Sequence, residues 1–568
     1  MPSPAIEPFI KEPKIAYFSM EIGLRNDMAT YSGGLGVLAG DTIKSAADLS
    51  LPMVAVSLLT KKGYFKQEID ATGMQIEKPD DWNPAQFAVN LKERVSVTIE
   101  GRDVQVAAWL YVVQSATGGK LPVLFLDTDL PENAPQDRDV THYLYGGDLA
   151  YRFKQEIVLG IGGTRILEEL GFEIKKYHMN EGHSSLLTLE LLHRYKKDIE
   201  EVWDERLVWD ADKVKSLCVF TTHTPVAAGH DKFPYDLVQR TIDGIVPLNV
   251  LQELAGRDAL NMTLLGLNLS NYVNGVAKKH GEVSKTMFPG YEIHAITNGV
   301  HSYTWTCDSF KKLYDRYMPG WAIEPEIFVR VDRIPDEELW EAHMEAKKDL
   351  IAHVNRETGA GFTTDLLTIG FARRATAYKR ADLLFSDPER LARIAHGKLQ
   401  IIYAGKAHPK DDSGKRLIQG IIEMSGKFKG KVGIVFLKNY NMDLALKLVS
   451  GVDVWLNNPL RPLEASGTSG MKATHNGVPN FSVLDGWWIE GHIEGYTGWA
   501  IGPSPDVPAD PARDADDLYH KLETLILPTF YDDRGYWIKI MKNAVGKNAY
   551  YFNTHRMMRR YVTEAYIR

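Results

Sequence analysis

A chain of 568 residues, 44% hydrophobic and 25% charged, is globular and too long for one simple core, so two or more domains are expected. The formal charge of −8, from 66 Lys and Arg against 74 Asp and Glu, excludes a general affinity for nucleic acid or anionic membranes and leaves any anion site to be built locally. The opening M-P-S-P-A-I-E-P-F-I-K-E-P-K is no export signal, no bilayer-length apolar stretch follows, and Cys218 and Cys307 form no C-x-x-C pair, which predicts a cytoplasmic protein with reduced thiols.

From Ile15 short apolar runs alternate with amphipathic stretches. I-A-Y-F-S-M, P-M-V-A-V-S-L-L, L-P-V-L-F-L-D and S-L-C-V-F-T-T-H read as buried strands with helices over 152–170 and 183–203 among them, the pattern of an α/β domain with a largely parallel sheet. Behind the first strand stands Y-S-G-G-L-G-V-L-A-G, residues 31–40, leading into a helix. Gly34, Gly36 and Ala39 satisfy the dinucleotide fingerprint, yet the next strand ends V-S-L-L-T-K-K-G without an acid for a ribose hydroxyl; an anion cradle and a plain tight turn both stay open.

Beyond T-N-G-V-H, which ends at His301, an aromatic-rich connection precedes a charged helix over 336–357. D-L-L-T-I-G-F-A-R, L-Q-I-I-Y-A-G-K, V-G-I-V-F-L-K-N-Y, V-D-V-W-L-N-N and P-N-F-S-V-L-D-G then alternate with helices over 414–428 and 442–450, predicting a second doubly wound domain that faces the first across a cleft. P-S-P-D-V-P-A-D-P-A-R-D is a surface loop, and 516–527 and 536–568 read as helices. The expected division is an N-terminal domain over 1–300 with the glycine-rich loop, a C-terminal domain over 301–535, and a closing helix over 536–568 packed back on the first domain.

Two stretches carry the chemistry. F-A-R-R-A-T-A-Y-K-R, residues 371–380, sets Arg373, Arg374, Lys379 and Arg380 at a strand end, where open α/β sheets bind ligands and where Arg forks and Lys point charges suit phosphate. E-A-S-G-T-S-G-M-K, residues 464–472, places an acid and a lysine at the ends of a run of small residues that lets backbone N–H groups approach a ligand. The lysine behind G-T-S-G has the setting of one that forms a Schiff base with an aldehyde cofactor.

E-A-S-G-T-x-x-M-K with N-G and D-G after it, preceded in order by M-E, S-G-G-L-G, R-F-K-Q-E, M-N-E-G-H, T-H-T, I-T-N-G, A-R-R-A-T-A-Y-K-R, Y-A-G-K-A and V-F-L-K-N-Y, resembles the α-glucan (glycogen, starch, maltodextrin) phosphorylases, in a short form. The resemblance spans about Ile15 to Trp488 and implies two Rossmann-like domains of the GT-B type with pyridoxal 5'-phosphate as cofactor. It assigns Lys472 to carry the cofactor, Tyr440 to its ring, and Thr468, Gly467 and Arg373 to its phosphate. Arg374, Lys379 and the loop at Gly34 and Leu35 are assigned to the substrate phosphate, and Glu464, with the Ala465, Ser466 and Gly467 backbone, to the hydroxyls of the transferred glucose. His223 and Asn298 complete that sugar pocket, and Glu21 lies nearby.

The implied reaction is reversible, retaining phosphorolysis of a terminal α-1,4-linked glucose to α-glucose 1-phosphate, the cofactor phosphate taking part in proton transfer. The implied partners are the glucan, inorganic phosphate and glucose 1-phosphate, with a homodimer as an open expectation. The chain starts almost at the first motif, so the extension that carries phosphorylation and nucleotide control in animal relatives has no counterpart and constitutive activity is expected. Departures are Arg373 where many members have Lys, Ile22-Gly23 where an aromatic pair is common, and M-N-E-G-H for N-D-x-H, which keeps Glu181 and His183 out of the catalytic set. No metal is expected from His178, Glu181 and His183, whose spacing is not H-E-x-x-H. A sugar-nucleotide-dependent glucan synthase of the same fold, a noncatalytic glucan-binding relative and an ordinary pyridoxal enzyme of amine chemistry are the competing readings.

Overall fold

The computed structural model describes residues 3–199, 204–242 and 244–567. Two separate sheets organise it. In the first, Lys120–Asp127, Met53–Leu58, Lys14–Phe18, Ile174–Asn180, Cys218–Thr221, Tyr272–Gly275 and His294–Ala295 lie side by side and run parallel. Arg102–Gln114 and Val89–Ile99 extend the sheet antiparallel past Lys120–Asp127. The strand Lys14–Phe18 is buried along its whole length, as a strand covered by helices on both faces must be.

The second sheet is parallel throughout: Gly433–Leu437, Leu399–Ala404, Leu367–Ala372, Val454–Asn457, Asn480–Val483, Gly498–Ile501. Numbered along the chain its strands stand 3-2-1-4-5-6, and the parallel part of the first sheet begins in the same order, so each half is doubly wound with one point where the winding reverses.

The helix expected over 152–170 is continuous over Leu149–Ile157, Val158–Gly162 and Gly163–Glu169, its middle turn being of the π type. The helix expected over 183–203 is instead a turn at Gly182–Ser184 and a helix Leu187–Arg194; residues 195–199 are not helical, and 200–203 lie outside the described residues. Tyr195 still packs against the core, but residues 196–199 are exposed, Ile199 included, so nothing is buried that would hold a further turn. The stretch over 536–568 is likewise divided: Arg534–Asn543, a π turn Ala544–Ala549, a break, then Thr554–Tyr561 and a final π turn Val562–Tyr566.

This last piece returns to the first half. Met557, Met558, Tyr561 and Tyr566 share an apolar cluster with Ile15, Tyr17, Leu38 and Ile43. Among the described residues no helix is long and apolar enough to cross a membrane.

Candidate functional site

In the second sheet the winding reverses between Leu367–Ala372 and Val454–Asn457, so the loops leaving these two strands diverge and open a crevice at their C-terminal ends. The first loop carries the basic run and the second carries Glu464. Glu464 Oε2 accepts from Arg373 Nη2 at 2.5 Å and from Lys379 Nζ at 2.5 Å. Burial alone would raise the Glu464 pKa, but the two cations outweigh it and bring the carboxyl down to about 2. The Glu464 N–H donates to Asp485 Oδ2 at 2.9 Å and the Gly486 N–H to Asp485 Oδ1 at 2.9 Å. Burial, and then the Glu464 charge, push Asp485 up to about 7.

The four cations of the basic run do not act together. Arg380 is turned into the core, where it donates to Asn458 O and pairs with Asp514 at 2.8 Å. Arg374 is exposed, and its charge helps burial lower the pKa of His408 and acts on Tyr64 of the first half. Arg373 keeps one buried nitrogen, Nη1, without a hydrogen-bond partner, and Thr376 Oγ1 and Ser466 Oγ beside these loops are in the same condition.

Gly467 adopts a left-handed conformation, φ 88°, and starts the helix Thr468–Thr474 that bears Lys472. The Lys472 amine lies 3.9 Å from the centroid of the Trp305 ring, whose Nε1 donates to Asp41 Oδ2 at 2.8 Å. Asp41 Oδ1 is buried and unpartnered. Burial lowers the amine to about 8, with Asp41 opposing the shift and Lys44 adding to it. Asn476 fastens this helix to the aromatic segment, donating to both Trp305 O and Lys472 O. Tyr440 is close enough to Arg373 and Tyr31 to feel their charge, and burial raises its hydroxyl pKa.

In the first half Glu21 organises the glycine-rich loop. Its Oε2 accepts the N–H groups of Ser32 at 2.6 Å and Gly33 at 3.1 Å, and its Oε1 accepts from Tyr145 Oη at 3.0 Å. Gly36 is required there, because a Cβ would stand 2.6 Å from Glu21 Oε2 and 2.7 Å from Tyr31 Cβ. Gly34, by contrast, is exposed at the start of the helix Gly34–Asp48, followed by Leu35, and a Cβ on it would meet no protein atom within 4 Å.

His223 and Asn298 line one small cavity with Asn180, Leu38 and Thr42. His223 Nε2 meets Asn180 Oδ1 at 2.7 Å, and burial lowers its pKa to about 4, so the ring is neutral at working pH. Glu181, with φ 76°, spends its carboxylate on the His223 N–H at 2.7 Å and Thr224 Oγ1 at 2.9 Å. His178 is engaged by Tyr566 Oη and Thr221 Oγ1, and His183 lies against Arg152 and Asp231. No group of His, Cys, Asp and Glu among the described residues is placed to hold a metal ion.

Arg373, Lys379 and Glu464 therefore form one group, with Ala465, Ser466, Gly467 and Thr468 on the same loop and Lys472 one helical turn on. Helix Gly34–Asp48 links it to His223 and Asn298, since Asp41 reaches the Lys472 surroundings while Leu38 and Thr42 line the His223 cavity. Trp305, Asp41 and Asp485 are missing from the sequence-based set. Asp41 had a legible signal, a carboxylate on an otherwise apolar helix face, and Asp485 is the acid of the D-G that follows E-A-S-G-T-S-G-M-K.

The carbohydrate phosphorylase family model matches residues 20–119 and 243–494. The chain is 42% identical to a maltodextrin phosphorylase of Thermococcus litoralis, covering 98% of this chain and 70% of that protein. It is 38% identical to a glycogen phosphorylase of Aquifex aeolicus, covering 97% and 86%. An uncharacterized protein of Methanocaldococcus jannaschii is 34% identical, and there the match covers 97% of this chain and 99% of the relative.

Proposed function

From the premise that this chain belongs to the carbohydrate phosphorylase family, we propose the division of labour by which its residues run α-glucan phosphorolysis. The enzyme is an α-glucan phosphorylase, a glycosyltransferase: inorganic phosphate takes the terminal α-1,4-linked glucose of a glucan and leaves α-glucose 1-phosphate with retained configuration. The observation that carries the residue assignment is Glu464 held between Arg373 and Lys379 in the crevice, with the buried amine of Lys472 on the following helix.

The residues present fit pyridoxal 5'-phosphate. A buried amine brought to about 8 is in part neutral at working pH, as a lysine joined to an aldehyde must be, and the unpartnered Arg373 Nη1 is a donor suited to an anion. Lys472 would hold the group, with Tyr440 at its ring and Gly467, Thr468 and Arg373 at its phosphate. When bound, it supplies a phosphate monoester whose second pKa of about 6 suits proton exchange near neutral pH.

The chain's own residues do the rest. Arg374, Lys379 and the N–H of Gly34, with Leu35 beside it, bind and orient the substrate phosphate and offset its charge, lowering the cost of bringing an anion into a partly buried crevice. Glu464, anionic at all working pH values, accepts from sugar hydroxyls, with the Ala465, Ser466 and Gly467 backbone as neighbouring donors. His223, neutral, and Asn298 orient the glucosyl unit from the other half, and Glu21 holds the glycine-rich loop in place.

Incubating the purified holoenzyme with maltodextrin and inorganic phosphate tests this. Glucose 1-phosphate is expected only when phosphate is present. Transfer that needs a nucleotide sugar, or glucan binding without turnover, would replace this reading by a synthase or a noncatalytic binder.

A further inference from the structure

Between the second and third strands of the first sheet the chain makes a hairpin outside that sheet, Lys66–Ile69 paired antiparallel with Gln75–Lys78. Its sequence, K-Q-E-I and Q-I-E-K, has the alternation of an edge hairpin with polar residues where an apolar face would stand. Yet Gln67 and Gln75 are 1% and 4% exposed, which polar side chains tolerate only when fully hydrogen-bonded.

Their partners lie in the other half. Gln75 Nε2 donates to Ala407 O at 2.9 Å while the Ala407 N–H donates to Gln75 Oε1 at 2.9 Å, so the side-chain amide pairs with the backbone as a strand would. Gln67 Nε2 donates to Gly405 O at 2.8 Å and to Gln75 Oε1 at 2.9 Å. The Asn439 N–H donates to Gln67 Oε1 at 2.8 Å, and the Gln67 N–H to Asn439 Oδ1 at 3.3 Å. Lys406 Nζ donates to Phe65 O at 2.9 Å.

The segment so gripped supports the basic run. The Arg373 N–H donates to Ala404 O at 3.2 Å, and the Ala375 N–H to Lys406 O at 2.9 Å. The contact is tight at Gly405, φ 149°, where a Cβ would stand 1.9 Å from Arg373 O. Asn439 immediately precedes Tyr440.

We propose that this hairpin is a clasp through which the first half positions the phosphate-binding loop of the second, with Gln67 and Gln75 as positioning residues for inorganic phosphate. Neither glutamine touches a reacting atom. Each acts through Gly405–Ala407: the N–H groups of Arg373 and Ala375, bonded to Ala404 O and Lys406 O, flank Arg374 and fix the backbone from which it extends. The proposal rests on the phosphorylase reading and assigns a substrate selectivity to it: the phosphate side depends on the clasp, the glucan side does not.

The test is phosphorolysis of maltoheptaose by holoenzyme carrying Gln67→Met or Gln75→Met, which keep the side-chain volume and remove the amide. Loss of these buried hydrogen bonds is expected to raise the KM for phosphate about tenfold. The KM for glucan and the bound-cofactor absorbance stay unchanged. Glu68→Ala, which removes the exposed pair with Lys438, is the rim control and is expected to change phosphate KM by less than about twofold. Unchanged phosphate KM in both glutamine variants, or equal rises for phosphate and glucan, overturns the clasp. Should one variant not fold, the other decides. A wild-type enzyme without phosphate-dependent turnover would overturn the phosphorylase reading instead.

Discussion

Glu464 shows how a single residue's environment sets its chemistry. With its carboxyl depressed to about 2, the pairing with Arg373 and Lys379 contributes stability above the ordinary carboxylate range and loses it as pH falls toward that value. Glu464→Gln leaves both cations buried and uncompensated, so destabilisation of about 3–5 kcal/mol is expected in chemical denaturation. Lys472 yields a second prediction. In cofactor-free protein, the rate of reaction with pyridoxal 5'-phosphate should rise with pH through a midpoint near 8 and level off above it, whereas an ordinary lysine would reach its midpoint only at about 10.4. Asp41→Asn should move the plateau to lower pH, because Asp41 holds the amine pKa up; an unmoved plateau would sever the two residues. The lysine and the glutamate were legible in E-A-S-G-T-S-G-M-K. Trp305 was not, since its role arises from packing between segments more than a hundred residues apart; Asp485 was visible as the acid of D-G, but not its turn onto the Glu464 and Gly486 backbone amides.

At the scale of elements the glycine-rich loop separates fold from function. Gly34→Ala adds a methyl to open space at a helix start and should leave stability equal or higher by up to about 1 kcal/mol, while blocking close approach of phosphate and lowering turnover. Gly36→Ala drives a methyl against Glu21 and should cost both. Thermal denaturation beside the phosphate KM distinguishes the pair, and equal loss of stability in each would remove Gly34 from the site. The buried strands and most helices were readable because apolar runs covered on both faces leave few alternatives. The helix over 183–203 was overextended because Tyr195 and Ile199 keep helical spacing with Leu192, whereas residues 196–199 are exposed and bury no apolar surface. The hairpin at 66–78 went unread because its buried side chains are glutamines, which become interior residues only through partners in the other half.

Across the whole molecule, the C-terminal segment holds the loop that carries Asn298. Arg556 donates to Thr297 O at 2.7 Å, to Asn298 O at 3.0 Å and to Tyr551 O at 2.9 Å. Arg556→Ala strands these carbonyls and should cost about 2–3 kcal/mol of stability, with a raised glucan KM and an unchanged phosphate KM. Steady-state kinetics in each substrate, beside denaturant titration, checks this; an equal effect on phosphate would refute it. The two doubly wound halves were visible in the order of elements along the chain, whereas the dependence of Asn298 on a residue 258 positions later was not.

The chain passes between the halves near Val300 and again near Asn553, and there the two passages run side by side: the Val300 N–H donates to Phe552 O and the Thr554 N–H to Val300 O. Two covalent threads thus cross at one place and are bonded to each other. The halves are therefore joined at this point by paired backbone as well as by covalent connection, and Val300 and Phe552 seal it within one buried apolar cluster.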